Sequence, residues 1–244
     1  MPWLMLKRTL TLLITTYSLL AIGSKPVTKD SISGNFDLGL NFTQNTEKTF
    51  QFHNVAFLKY QKGRSNLNLE NNIAFISKTG EDELLNKGEQ NLKYSFDAKN
   101  LDANITIQHL YDISRSIKNR YTSGVGISYN FTNKDHRKIS IGLSALREKE
   151  FPLNGEQKLQ NRISSNFNLI IKITKNITLN TINYYQPNID KIGDFRWKSN
   201  IAFRVNLSNY FLLNINSRFN YESFPEEGIP ESDYQLINSI SYTF

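Results

Sequence analysis

The sequence predicts an all-β fold, a single closed antiparallel transmembrane β-barrel of about twelve strands in an up-and-down meander. Three features carry that expectation. The chain opens on an export signal, most of the remaining chain alternates apolar and polar residues, and the last alternating segment closes on an aromatic residue.

Residues 1–23 read as a signal peptide. Lys7 and Arg8 precede an apolar run from Thr9 to Leu20, and small residues come next at Ala21-Ile22-Gly23-Ser24, with cleavage expected after Gly23. The run is too short for a spanning helix, which needs about 20 apolar residues. The chain then divides into the signal, 1–23, and one barrel domain, 24–244. Loss of Lys7 and Arg8 takes two charges from the formal net +7 and leaves +5. Those charges are scattered singly, so no nucleic-acid partner is expected. Cysteine is absent, which leaves no disulfide, no thiolate metal site and no lipid-bearing Cys after the signal. Asn-x-Ser/Thr matches at Asn41, Asn104, Asn130, Asn176 and Asn206 arise by chance in an Asn-rich chain.

The alternation is clearest in four stretches. Phe36, Leu38, Leu40 and Phe42 interleave with Asp37, Gly39 and Asn41; Leu92, Tyr94 and Phe96 interleave with Lys93, Ser95 and Asp97. Val125, Ile127, Tyr129 and Phe131 interleave with Gly124, Gly126, Ser128 and Asn130; Trp197, Ile201, Phe203 and Val205 interleave with Lys198, Asn200 and Arg204. Such a period means a strand with one apolar and one polar face. Applied throughout, it places strands near 33–43, 50–60, 65–77, 91–99, 102–113, 120–131, 138–147, 162–174, 177–186, 195–207, 210–222 and 233–244. The second and ninth alternate poorly.

The links fall into two classes. Longer polar ones come after odd strands (Lys78–Gln90, Glu148–Asn161, Pro187–Asp194, Phe224–Ser232), and tight ones after even strands (Asn100-Leu101, Lys175-Asn176, Ser208-Asn209). Bacterial outer-membrane barrels have this asymmetry, with the short turns periplasmic. An even strand number then puts both termini in the periplasm. The final stretch Ser239-Ile240-Ser241-Tyr242-Thr243-Phe244 is the end that barrel-assembly machinery reads. Aromatics sort into two girdles: Tyr60, Tyr129, Phe131, Phe211, Tyr242 and Phe244 below, and Tyr111, Tyr121, Tyr185, Trp197, Tyr221 and Tyr234 above. A soluble barrel or sandwich would show the same period, but not the girdles, the loop asymmetry and the terminal Phe together. The expected location is the outer membrane of a Gram-negative envelope, as a monomer among its lipids and lipopolysaccharide.

Several short motifs add a resemblance. Ser33-Gly34-Asn35 opens the first strand, Gly124-x-Gly126 is followed by Tyr129, and Tyr185-Gln186-Pro187, Gly193-Asp194-Phe195-Arg196, Phe203-Arg204-Val205 and Asp233 mark the closing stretch. With them the whole mature chain resembles the salt-induced outer membrane proteins, grouped as domain of unknown function 481. The resemblance implies an outer-membrane barrel. It implies no substrate, cofactor or catalytic residue.

The residues themselves point away from catalysis. His53, His109 and His136 lie far apart, with His109 on the outward face and His136 in a turn, and no segment groups a His with a Ser or acidic partner at the spacing of outer-membrane phospholipases or proteases. No enzyme activity, metal or cofactor is expected, and an outer-membrane hydrolase is the alternative ranked last. Glu81-Asp82-Glu83 and Glu226-Glu227 read as solvated loop charges that could bind lipopolysaccharide through cations. The informative set is the one the alternation turns inward. It holds the bases Lys59, Lys93, Lys99, Arg120, Lys138, Arg162, Lys172, Arg196, Lys198, Arg204 and Arg218, against the acids Asp37, Glu70, Asp97 and Asp112. Two readings stay open: a structural barrel whose net-basic bore is plugged by these side chains, or a narrow pore preferring anions. Eight strands are filled by side chains and sixteen leave a channel, so twelve does not decide.

Overall fold

The computed structural model describes residues 30–44, 48–78, 85–134 and 136–243. The expected signal peptide, Glu81-Asp82-Glu83 and Phe244 lie outside them. Twelve strands build the chain: β1 (Ser31–Gln44), β2 (Lys48–Lys62), β3 (Ser65–Lys78), β4 (Leu85–Ala98), β5 (Leu101–Asp112), β6 (Ile117–Lys134), β7 (Arg137–Pro152), β8 (Lys158–Lys172), β9 (Ile177–Pro187), β10 (Phe195–Asn206), β11 (Phe211–Glu222) and β12 (Ser232–Thr243). Each pairs antiparallel with its sequence neighbours, and β1 pairs with β12 to close the barrel. Closure matters because it leaves no sheet edge with unpaired N–H and C=O groups.

Alternation fixes the two faces. On β1 Asp37 is buried while Phe36 and Leu38 are exposed. Directly paired residues share a face, so the assignment passes round the ring. Asp37 opposes Ser241, Asn214 opposes Ser239 and Arg204, and Arg196 opposes Glu222. The outward face carries Ile127 (52% exposed) and Phe203 (42% exposed), with Val125, Leu143, Ile201 and Ile240 in the same band. The buried residues are mostly polar; among those described Ile117, Pro152 and Ala202 are apolar exceptions, beside a few glycines. This molecule is apolar outside and polar within.

The aromatic rows form at both ends of the apolar band. Tyr129 packs edge-on against Phe131 at 5.0 Å, and Phe211 against Tyr242 at 5.7 Å, near the tight-turn end. Tyr185, Phe195 and Tyr221 form a run at 5.5 Å spacing near the other end, and Tyr121 meets Phe151 at 6.3 Å.

Strand positions agree with the alternation, with three departures. β4 starts at Leu85, and β7 continues to Pro152, through what the sequence presented as loop. Beyond the apolar band both faces meet water, so the outward residues need not be apolar and the period disappears from the sequence. Lys99, expected on the inner face, sits instead in the β4–β5 turn at φ 60°. The poor alternation of the second and ninth strands also has a cause. β2 turns Val55 and Phe57 inward and Asn54 outward, and β9 turns Ile182 and Tyr184 inward and Asn183 outward.

Glycines on the inner face of β6 and β7 let the walls approach. A Cβ on Gly126 would collide with the Ser144 side chain and lie 2.9 Å from the Leu143 carbonyl oxygen. The Gly124-x-Gly126 spacing thus serves packing between adjacent strands.

Candidate functional site

At the end of the barrel carrying the longer loops, the inner face holds a network of arginines and carboxylates. Four strand residues seed it. Arg120 on β6, Glu148 and Glu150 on β7, and Arg162 on β8 are all buried, because alternation directs each into the bore. Arg196 at the start of β10 and Glu222 at the end of β11 oppose one another across one rung.

Arg196 is the centre. Its Nη1 donates to Glu148 Oε2 at 2.6 Å and its Nε to Glu222 Oε1 at 2.7 Å, while Nη2 lies 3.5 Å from Glu150. Arg120 Nε donates to Glu150 at 2.5 Å, and the same guanidinium lies 3.7 Å from Glu148 and 3.6 Å from Glu222. Arg162, 1% exposed, donates through Nη2 to both oxygens of Asp194 at 2.9 and 3.1 Å. Its Nη1 donates to the Gln186 carbonyl at 3.0 Å. Its Nε approaches Glu148 Oε1 at 3.1 Å without hydrogen-bond alignment, so that contact is ionic only.

Two loops complete the set. Between β5 and β6 a single 3₁₀ turn, Ile113–Arg115, ends on Ser116 in the left-handed region. It brings Arg115 within 3.4 Å of Glu222 and 3.7 Å of Asp233. Between β9 and β10, Asn188 donates to Asp194 Oδ2 at 2.9 Å and holds that carboxylate over Arg162. Near them Lys158 pairs with Glu226, and Lys191 lies 3.7 Å from the Phe224 ring centre.

The reach of these pairs is the notable property. Arg196 on β10 bonds to β7, and Arg120 on β6 meets β11, although neither pair of strands is adjacent in the ring. The contacts therefore cross the bore. Guanidinium groups suit this, since their planar fork meets several carboxylates at once and they stay charged when buried.

Of the residues singled out from sequence, Arg120, Arg162 and Arg196 meet here. The others do not join them. Asp112 accepts from Ser114 at 2.6 Å near the same end. Asp37 accepts from Asn35, Asn214 and Ser239 at 3.1, 3.2 and 3.5 Å, and Asp97 accepts from Asn66 at 2.8 Å opposite Asp102. Glu70 opposes Asn91 and Phe57. Lys198, Arg204 and Arg218 stand on the inner face opposite Tyr184 and Asn220, Thr178 and Asn214, and Asn200 and Gln235. Lys138 and Lys172 are exposed near the tight turns, opposite Ile170 and Thr178. Among the described residues none of these five bases forms an ion pair.

Sequence reasoning missed Arg115, Glu148, Glu150, Asp194 and Glu222. For Glu148 and Glu150 a signal existed: they continue the phase of Ser140, Gly142, Ser144 and Leu146. Extending the register also puts Glu89, Asp102 and Asp233 on the inner face, against the further bases Lys87 and Lys158. The inward excess of bases is thereby largely cancelled. Among the described residues no group of three or more metal-ligating side chains is found, and His109 is partnered by Gln90 and Asn119.

A family model described as "Protein of unknown function, DUF481" matches residues 36–244. A comparison with curated proteins finds no match. Among solved structures, the NanC porin aligns over 87% of this chain and 97% of its own, at 8% identity and TM-score 0.49. The translocator domain of the autotransporter NalP from Neisseria meningitidis aligns over 98% and 94%, at 8% identity and TM-score 0.47. The anion-selective porin from Comamonas acidovorans aligns over 88% and 99%, at 11% identity and TM-score 0.43.

Proposed function

The chain belongs to the DUF481 family, and on that premise we propose that it is an outer-membrane β-barrel with a structural role in the envelope, its bore closed near the loop end by the arginine–carboxylate network. The observation that carries the closure is the contact of Arg120 with Glu222 and of Arg196 with Glu148, which ties non-adjacent walls together. The apolar outward band between two aromatic rows supports a lipid setting, because amphipathic rings favour the two interfaces. Export through the signal in residues 1–23, periplasmic termini and recognition of the last strand by the assembly machinery belong to the same reading. So do contacts of the loop acids with lipopolysaccharide through cations, and kinship with the salt-induced outer membrane proteins that the motifs resemble, tested by protein abundance across external salt. No catalytic step is part of it.

A second reading is favoured by a separate observation. Lys198, Arg204 and Arg218 stand on the inner face without ion-pair partners among the described residues. If the network parts, the path beneath it carries these bases beside the acids Asp37, Glu70 and Glu89, and the bases without ion-pair partners favour anions.

Fractionation and planar-bilayer recording test both. The protein is expected in the outer membrane, heat-modifiable on gels, and electrically silent. The double variant Glu148→Ala with Arg196→Ala is expected to conduct. A fully conducting wild type overturns the closed bore in favour of the pore, and recovery as a soluble periplasmic protein overturns both.

A further inference from the structure

On the outward face, where lipid-facing side chains are expected to be apolar, a row of polar groups crosses four strands and ends on a fifth. Asn54 on β2 donates to the Asp37 carbonyl at 3.2 Å and accepts from Asn71 on β3 at 3.4 Å. Asn71 Oδ1 accepts from Gln90 on β4 at 3.1 Å, and Gln90 Oε1 meets His109 Nδ1 on β5 at 2.8 Å. His109 Nε2 meets Asn119 at 2.9 Å, and its ring stacks on Tyr121 at 4.9 Å. The register fixes the face: Asn71 opposes Gln90, Gln90 opposes His109, and His109 opposes Tyr121, which is 49% exposed.

The row runs inside the apolar band. On β2 it lies six residues from Tyr60, on β4 four residues from Tyr94, and on β5 two residues from Tyr111, so it falls between the two aromatic rows. Within hydrocarbon every polar group without a partner is costly, and polar side chains facing lipid are rare. The internal bonds use only part of the capacity. Each amide has two N–H donors and two acceptor lone pairs, and at Asn71 and Gln90 the bonds along the row occupy one of each.

We propose that the β2–β5 outward face is the interface of a homodimer, in which the half-buried row of Asn71, Gln90 and His109, anchored at one end by the buried Asn54, meets the same row of a second copy across a two-fold axis. A two-fold contact presents one patch to itself, so it needs a surface that complements itself. Amides satisfy that condition, since each both donates and accepts. The row carries no formal charge, which disfavours lipid headgroups as its occupant. The small residue Ala56 beside Asn71 lets two such faces approach, while the Tyr111 ring lies over Gly88 and borders the row on its other side. This departs from the monomer expected from sequence and stands independently of whether the bore is closed.

The absence of cysteine from the chain makes the test clean. Cysteine is placed singly at Asn71 and Gln90 in the full-length protein, and at Asn238 on the outward face of β12 as control. In native outer membranes under mild oxidation, at least one row position is expected to give a disulfide-linked dimer of this chain, and Asn238→Cys none. The pair Asn71→Leu with Gln90→Leu should keep the heat-modifiable barrel while weakening dimerisation at least tenfold in sedimentation measurements in mild detergent. Monomeric mass with no crosslink from any row position overturns the proposal. So does equal crosslinking from Asn238→Cys, which would report random collision, or capture of a different protein by the row cysteines. Unchanged dimerisation in the double Leu variant shows that the amides are not the contact, and also overturns it.

Discussion

Arg120 and Glu222 lie 3.6 Å apart although their strands, β6 and β11, stand five places apart round the ring. A contact of that kind cannot arise from strand pairing. It exists because long side chains leave opposite walls and meet within the bore, each buried charge finding an opposite one. Burial without that compensation would cost several kcal/mol per ion.

Glu148 touches Arg120, Arg162 and Arg196. Its replacement by Ala takes one carboxylate from three guanidinium groups, but Arg120 keeps Glu150, Arg162 keeps Asp194 and Arg196 keeps Glu222, so the loss expected is that of charged hydrogen bonds, about 1.5–3 kcal/mol. The midpoint of heat-modification or of urea unfolding reads the loss. Glu148→Gln should fall between, since it keeps hydrogen-bond acceptors and loses the charge.

The faces of β10 are set by register, and a slip of one residue would exchange them. Phe203→Arg puts a charge on the outward face at a cost of about 2–4 kcal/mol. Folded barrel recovered from outer membranes should drop sharply for that variant and stay near wild type for Arg204→Ala. Equal recovery would mean that the strand is displaced.

Gly126→Ala places a methyl against Ser144 and the Leu143 carbonyl, where no room exists. Overpacking of this sort costs about 1–3 kcal/mol. Pairing the change with Ser144→Gly should restore part of the loss, measured by the same unfolding midpoint. A neutral Gly126→Ala would show that β6 and β7 are further apart than described.

Once opened by Glu148→Ala with Arg196→Ala, the bore presents Lys198, Arg204 and Arg218 without ion-pair partners among the described residues, beside the acids Asp37, Glu70 and Glu89. Reversal potentials under a salt gradient should then indicate anion preference. Adding Arg204→Glu and Arg218→Glu should weaken or reverse it, because charges lining a pore set its field. An opened bore that prefers cations from the outset would contradict the assignment of these bases to the path.

Period-two alternation is a local property, and it was enough to place twelve strands, their outward faces and the two aromatic rows. A residue such as Ile127 or Phe203 reveals its side by its immediate neighbours, because successive side chains point to opposite faces. The same alternation assigned Arg120, Arg162 and Arg196 to the inner face. Where both faces meet water the signal faded, and Glu148 and Glu150 were read as loop although they continue β7. Asn71 and Gln90 broke the outward pattern, an irregularity visible in the sequence but without meaning until their strands lay side by side. Which inner charges meet was decided by closure alone. Joining β12 to β1 fixes how far apart the walls stand and at what height Arg120 faces Glu222, and no local spacing between residues 120 and 222 encodes that distance.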